Sequence, residues 1–251
     1  VTNSWRLAVG TLTALRWRHP TVVDRDVAGG AMLLAPLAVV PLGLLVGLVS
    51  WAGRELKLAP LAVALVAVGA LALGSRALHL DGLSDVADGL TASYDRERSL
   101  EVMKGGTAGP AGAAALVIVL GIQAASLSAI LCMPRGPVIA GLLVCCSRAI
   151  LSVCCARGVP AARADGLAVT YAGTIRRTWA VATWLVVALL CAGVLDWAGW
   201  PWWRGLVVAG AGLFVGALLT YRCVSRFGGV TGDVFGAAIE LTLAAMLVAA
   251  S

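Results

Sequence analysis

Charge is what this chain has least of. Charged side chains make up 13% of the 251 residues, against 60% that are hydrophobic, which leaves no room for a separate soluble domain. None of the seven cysteines (Cys132, Cys145, Cys146, Cys154, Cys155, Cys191, Cys223) forms a C-x-x-C pair with a nearby His. That argues against a zinc centre and makes them small packing residues in or at the ends of apolar stretches. No run of five or more basic residues occurs, so the net charge of +6 does not point to nucleic acid. Low-complexity linkers and internal repeats are also missing. So is a secretory signal pattern, because Arg16, Arg18, His19 and Pro20 interrupt the N-terminal segment before a long apolar core forms. The chain begins at Val1 rather than Met, and a start residue or short leader is expected ahead of it.

What is present is apolar sequence in lengths that suit a bilayer. The mean hydropathy is +0.93, and stretches of about 20 apolar residues recur. They predict an all-α, polytopic helical bundle that occupies residues 1–251 as one membrane-embedded domain. Seven spans are expected, at about 28–51, 58–78, 108–131, 137–156, 178–197, 204–224 and 234–250. Segment 5–18 (WRLAVGTLTALRWR) reads as a helix lying in the interface, and DRERSLEVMK (95–104) as a surface helix. Loops carrying Arg6, Arg16, Arg18, Arg25, Arg76, Arg96, Arg98, Lys104, Arg157, Arg163, Arg176, Arg177, Arg222 and Arg226 hold fourteen basic residues. The other side holds Arg54, Lys57, Arg135 and Arg204, with Arg148 inside a span. This bias orients the fourteen toward the cytoplasm, and an odd span count then places the C-terminus outside. Trp197, Trp200, Trp202 and Trp203 fit an aromatic belt at the outer face.

Two acidic runs break the apolar pattern. HLDGLSDVADGL (79–90) contains Asp81, Asp85 and Asp88, and GGVTGDVFGAAIEL (228–241) contains Asp233 and Glu240. Neither run contains a Lys or Arg, and carboxylates at membrane depth cost several kcal/mol unless compensated. A divalent cation is the natural compensator, and hard oxygen ligands suit Mg²⁺. On a helix, Asp81, Asp85 and Asp88 share a face at i, i+4 and i+7, as do Asp233 and Glu240. Both runs begin at the cytoplasmic side, so the substrates are cytosolic or have cytosolic head groups. Gly82 and Gly89 permit close approach by a phosphate or another backbone. The turn of Gly228, Gly229, Thr231 and Gly232 leads into a helix N-terminus, where free N–H groups suit phosphate. Arg148, alone in a span, needs an anionic partner, whereas His79 reads equally as an interfacial histidine or a substrate contact. The plainer readings are an ordinary cap for Asp81, a solvated face for Asp95, Glu97 and Glu101, and a transporter's proton relay for a single membrane Asp.

HLDGLSDVADGL strongly resembles the H-x-D-G-x-x-D-x-x-D-G hallmark of the cobalamin synthase family, the adenosylcobinamide-GDP ribazoletransferases. GGVTGDVFGAAIEL is similar to that family's second run, G-x-T-G-D-x-x-G-A-x-x-E. Ser147–Arg148 and Asp165–Gly166–Leu167 fall where the family has similar elements, so the resemblance covers essentially the whole chain. MKGGTAGPAG (103–112) departs from it: Gly105 and Thr107 stand where polar groups are common, and no catalytic role is carried into 105–109. The resemblance implies transfer of the corrinoid phosphate of adenosylcobinamide-GDP to α-ribazole or its 5′-phosphate, with release of GMP in a Mg²⁺-dependent step. It also implies a multi-pass protein of the bacterial inner membrane with its site facing the cytoplasm. The lipid bilayer is then a partner, nucleic acid is not, and a homo-oligomer is left open. Asp85 and Asp88 are assigned to catalysis, and Asp81, Asp85, Asp88, Asp233 and Glu240 to the metal. His79, Gly82, Gly89, Lys104, Arg148, Thr231 and Gly232 are assigned to substrate binding. DVADGLTAS (85–93) also looks like the start of the CDP-alcohol phosphotransferase motif D-x-x-D-G-x-x-A-R. Here Ser93 replaces the Arg, and Ala237 replaces a later Asp. A lipid enzyme of that class is the alternative, with a cation or proton transporter behind it. Acidic residues confined to the cytoplasmic ends disfavour transport.

Overall fold

The computed structural model describes all 251 residues, Val1–Ser251. The chain is helical throughout. Helix α1 (Thr2–Leu12) precedes α2 (Arg25–Leu33), α3 (Ala35–Ala38), α4 (Val40–Glu55), α5 (Pro60–Gly74), α6 (Leu78–Ala92) and α7 (Arg96–Lys104). Helix α8 (Pro110–Leu131) and α9 (Gly136–Ser147) follow, the latter running through a 3-10 turn at Arg148–Ile150 into α10 (Leu151–Cys154). Helices α11 (Leu167–Tyr171), α12 (Arg177–Trp197), α13 (Trp202–Phe227) and α14 (Gly232–Ala250) complete the bundle.

Five helical runs are long and apolar enough to cross a membrane: α8, Gly136–Cys154, α12, α13 and α14. A sixth is counted only if α5 and α6 form one broken span. The expected span at 28–51 is divided into α2, α3 and α4, because Pro36 and Pro41 cannot donate to the helical ladder. The expected span at 58–78 ends early. Arg76 (φ 59°) and Ala77 (φ 55°) both adopt the left-handed conformation, and α6 leaves α5 at 92°. Five helices by length and apolarity, or six with the bent pair, stand against the seven spans expected. Helix α1 stops at Leu12, short of the predicted 18, and packs through Ala8, Val9 and Leu12 onto α2 and α3. The predicted surface helix is α7.

Loops expected on one side do meet on one side. Arg96 donates to the Ala162 carbonyl, Arg163 to Leu100 and Arg226 to Ser93 and Tyr94. At the opposite end Arg54 donates to the Met133 carbonyl (2.9 Å), and Arg135 and Arg204 lie over the rings of Trp197 and Trp200. Of the cysteines, five are buried, Cys145 is half-buried and Cys132 is exposed. Helix α14 is the centre of the bundle, packed against α6, α8, α9 and α13 and buried along most of its length.

Candidate active site

Residues 78–92 form one continuous helix, so the spacing of Asp81, Asp85 and Asp88 does align them along α6. Their environments differ. Asp81 is exposed, Asp85 half-buried and Asp88 buried. Asp88 Oδ2 accepts the Gly109 N–H (2.7 Å) and Oδ1 accepts the Gly112 N–H (2.9 Å). Those two N–H groups belong to the start of α8, where no intrahelical acceptor exists. Asp88 is therefore a charged cap for α8 supplied by a neighbouring helix. It fixes the glycine-rich segment 105–109 beside α6.

Helices α6 and α14 cross in backbone contact. A Cβ on Gly82 would lie 2.5 Å from the Asp233 carbonyl oxygen, and one on Gly236 would lie 2.9 Å from the His79 Cα. The pairs 82/233 and 79/236 run in opposite senses, so the two helices are antiparallel where they cross. The first turn of α14 consequently sits beside Asp81 and Asp85. Asp85 lies in the negative field of Asp81, Asp233 and Asp88, with Arg163 the opposing charge. None of these four aspartates forms a salt bridge. Thr231 caps α14, accepting the Val234 N–H (3.3 Å) and donating to Asp233 Oδ2 (3.1 Å). The N–H groups of Gly232 and Asp233 have no acceptor.

Several expected site residues lie elsewhere. Glu240 is two turns deeper on α14, roughly 10 Å along the helix from Asp233. Its Oε2 accepts from Gln123 Nε2 (2.8 Å), and its Oε1 stands 3.6 Å from His79 Nδ1. Arg148 is wholly buried. It donates to the Val144 carbonyl and to Ser147 Oγ (both 2.9 Å), while its Nε and second Nη have no partner. The carboxylate whose field it feels is Glu240. His79, Arg148 and Glu240 thus form a buried polar cluster within the bundle, not part of the open acidic group. Gln123 joins them; a lone amide in an apolar span was the signal for it. Gly82 and Gly89 are not open to a phosphate, because the first meets the Asp233 backbone and the second the Met103 side chain. The glycine turn is likewise taken up in packing. Gly228 (φ 74°) ends α13, and Gly229 lies against the backbone of 160–162, where Val230 N donates to Pro160 (2.9 Å). Lys104 pairs with Asp165 at 3.2 Å, both side chains more than half exposed. The Lys104 ammonium holds the Asp165 carboxyl below its usual range.

Three hard-oxygen side chains, Asp81, Asp85 and Asp233, therefore gather without a protein cation bonded to any of them. That donor chemistry fits Mg²⁺. As placed, no three His, Cys, Asp or Glu side chains converge closely enough to hold a metal ion, so the fit lies in the donor chemistry and not in a formed coordination shell. Arg163, absent from the expected set, is the basic group whose charge opposes the other aspartates at Asp85, and its Nε is buried without a partner.

Residues 4–251 match the family model described as cobalamin-5-phosphate synthase. An adenosylcobinamide-GDP ribazoletransferase of Nocardioides sp. (strain ATCC BAA-499 / JS614) is 55% identical over 98% of this chain and 97% of its own. Proteins of the same name from Frankia casuarinae and Brucella anthropi are 39% identical (96% and 92% covered) and 34% identical (84% and 82% covered). No solved structure matches. Matched along nearly its whole length, and carrying both acidic runs at one helix crossing, the chain belongs to the cobalamin-5-phosphate synthase family.

Proposed function

We propose that this chain transfers the adenosylcobinamide-phosphate half of adenosylcobinamide-GDP to α-ribazole or its 5′-phosphate, releasing GMP. The observation that carries this reading is the meeting of Asp81, Asp85 and Asp233 at the α6–α14 crossing. A ribose hydroxyl of the acceptor attacks the phosphorus on the corrinoid side of the pyrophosphate. The bond from that phosphorus to the bridging oxygen breaks, GMP departs with that oxygen, and the hydroxyl proton passes to a carboxylate. Asp85 suits that proton transfer, being half-buried and free of hydrogen-bond donors, whereas Asp88 acts as a positioning residue that holds α8 against α6. The free N–H groups of Gly232 and Asp233 at the head of α14 suit a phosphate oxygen. Asp81, Asp85 and Asp233 would hold Mg²⁺, which when bound would supply charge neutralisation for the pyrophosphate and the leaving GMP.

The protein is a multi-pass component of the bacterial inner membrane, and the positive bias of its loops turns this site to the cytoplasm. All the side chains invoked come from α6 and α14 of one chain, so no second copy is needed to complete the site. The test is incubation of the full-length protein with adenosylcobinamide-GDP and α-ribazole, following GMP and the joined corrinoid. Both products should appear, disappear with EDTA and return with Mg²⁺. No GMP release, or CMP release from a CDP-alcohol instead, overturns the reading. Activity indifferent to chelation removes the metal from it.

A further inference from the structure

Away from the acidic crossing, the N-terminal segment builds a basic cavity that the transfer reaction leaves unused. Residues 13–24 leave the end of α1 without regular structure as far as α2 and fold back along α1. They are held there by Asn3, which donates to Thr21 Oγ1 (3.1 Å) and accepts the Thr21 N–H (3.2 Å). The other edge is tied to the α5–α6 corner. Ala14 N donates to the Gly74 carbonyl (2.6 Å), and Arg76 donates to the Gly10 carbonyl (2.7 Å). The cavity, partly open to the outside, measures about 630 Å³ and is lined by Arg6, Arg16, Arg18, Arg76, His19 and Trp17 among others, with no Asp or Glu. Arg6, Arg16 and Arg18 have no hydrogen bond or salt bridge to any protein group. Three guanidinium groups sharing one cavity repel one another unless an anion lies between them.

The same segment turns apolar groups outward. Leu15, Trp17, Val22 and Val23 are each about half exposed, alternating in part with the arginines. We infer that the cavity is a binding site for the phosphate group of an anionic phospholipid, with Leu15, Trp17, Val22 and Val23 resting in the adjoining acyl boundary. A soluble phosphate compound would satisfy the guanidinium groups but not the exposed apolar side chains; a lipid satisfies both. The inference rests on the membrane location of the chain and is independent of the transfer chemistry.

Native mass spectrometry of the full-length protein in neutral detergent, titrated with phosphatidylglycerol or phosphatidylcholine, tests it. Wild type should retain phosphatidylglycerol in clear preference to phosphatidylcholine. Arg16→Gln/Arg18→Gln should lose roughly thirtyfold in affinity for phosphatidylglycerol, the effect of two basic groups at a lipid surface, with an unchanged unfolding midpoint. Arg16→Lys/Arg18→Lys should keep most of the preference. Equal retention of the two lipids by wild type, or undiminished phosphatidylglycerol binding by the Gln variant, overturns the site. In a separate arm, GDP and inorganic phosphate compete with the lipid. Occupation of the cavity by either one, with phosphatidylglycerol unable to displace it, overturns the lipid assignment.

Discussion

Two carboxylates three residues apart on α6 should respond differently to the same change. Asp85 is bonded to no protein donor, so Asp85→Asn should lower transfer by at least about 10²-fold and leave the unfolding midpoint in place. Near-normal turnover at saturating Mg²⁺ would remove Asp85 from the chemistry. Asp88→Asn offers one acceptor oxygen where two N–H groups are bound, so it should lose activity and also about 1–3 kcal/mol of stability. A midpoint as high as that of Asp85→Asn would contradict the cap. In the buried cluster, Glu240→Ala strands Arg148 without a counter-charge and should cost about 3–5 kcal/mol, read as a large fall in thermal midpoint. Asp165 lies at the other extreme. Its carboxyl is held low by Lys104, so the pair is intact above the ordinary carboxylate range and is lost as pH falls through the lowered value. Mostly exposed, it adds little, and Asp165→Asn should leave the midpoint at pH 7 unchanged.

The crossing of α6 and α14 depends on the absence of side chains at two points. Gly82→Ala would drive a methyl group into the Asp233 backbone and should cost about 1–3 kcal/mol together with activity. Gly69→Ala, where a methyl group meets nothing within 4 Å, is the matched control. Because Asp85 lies in the field of Asp233 at this crossing, Asp85→Ala/Asp233→Ala should be little slower than either single variant; fully multiplicative losses would separate the two runs. The helices themselves were legible, since apolar length marks α8, α12, α13 and α14 and the i, i+4, i+7 spacing marks the acidic face of α6. The bend at Arg76–Ala77 was not, because neither residue is a Gly or Pro; both are exposed and left-handed, with their N–H groups donating back to the Leu73 and Ala72 carbonyls. Pro36 and Pro41 stood in plain view within the expected first span, yet hydropathy averaged over them. The role of Asp88 depends on acceptor pairings 21 and 24 residues away, and Glu240 shares a helix face with Asp233 yet lies too deep to share its site. Helical spacing reports direction and says little about depth.

At the scale of the whole molecule, the loops sort into two ends by charge, and that sorting predicts access. On a cysteine-free background, Glu97→Cys should react from the cytoplasm and Trp200→Cys from outside; labelling of both from one side would undo the orientation. The buried cluster spans the bundle in another sense, because its members lie far apart in the order of synthesis. Arg148 follows α9, while Glu240 lies on the last helix. At common elongation rates the ribosome needs on the order of ten seconds to travel from one codon to the other. Throughout that interval a guanidinium group meant for the interior has no counter-charge, and an isolated arginine in hydrocarbon is costly. The early helices must therefore wait near water or beside the insertion machinery until α14 arrives. A chain cut short before residue 240 leaves Arg148 without that counter-charge. Completion of the last helix and closure of the bundle are, for this protein, a single event.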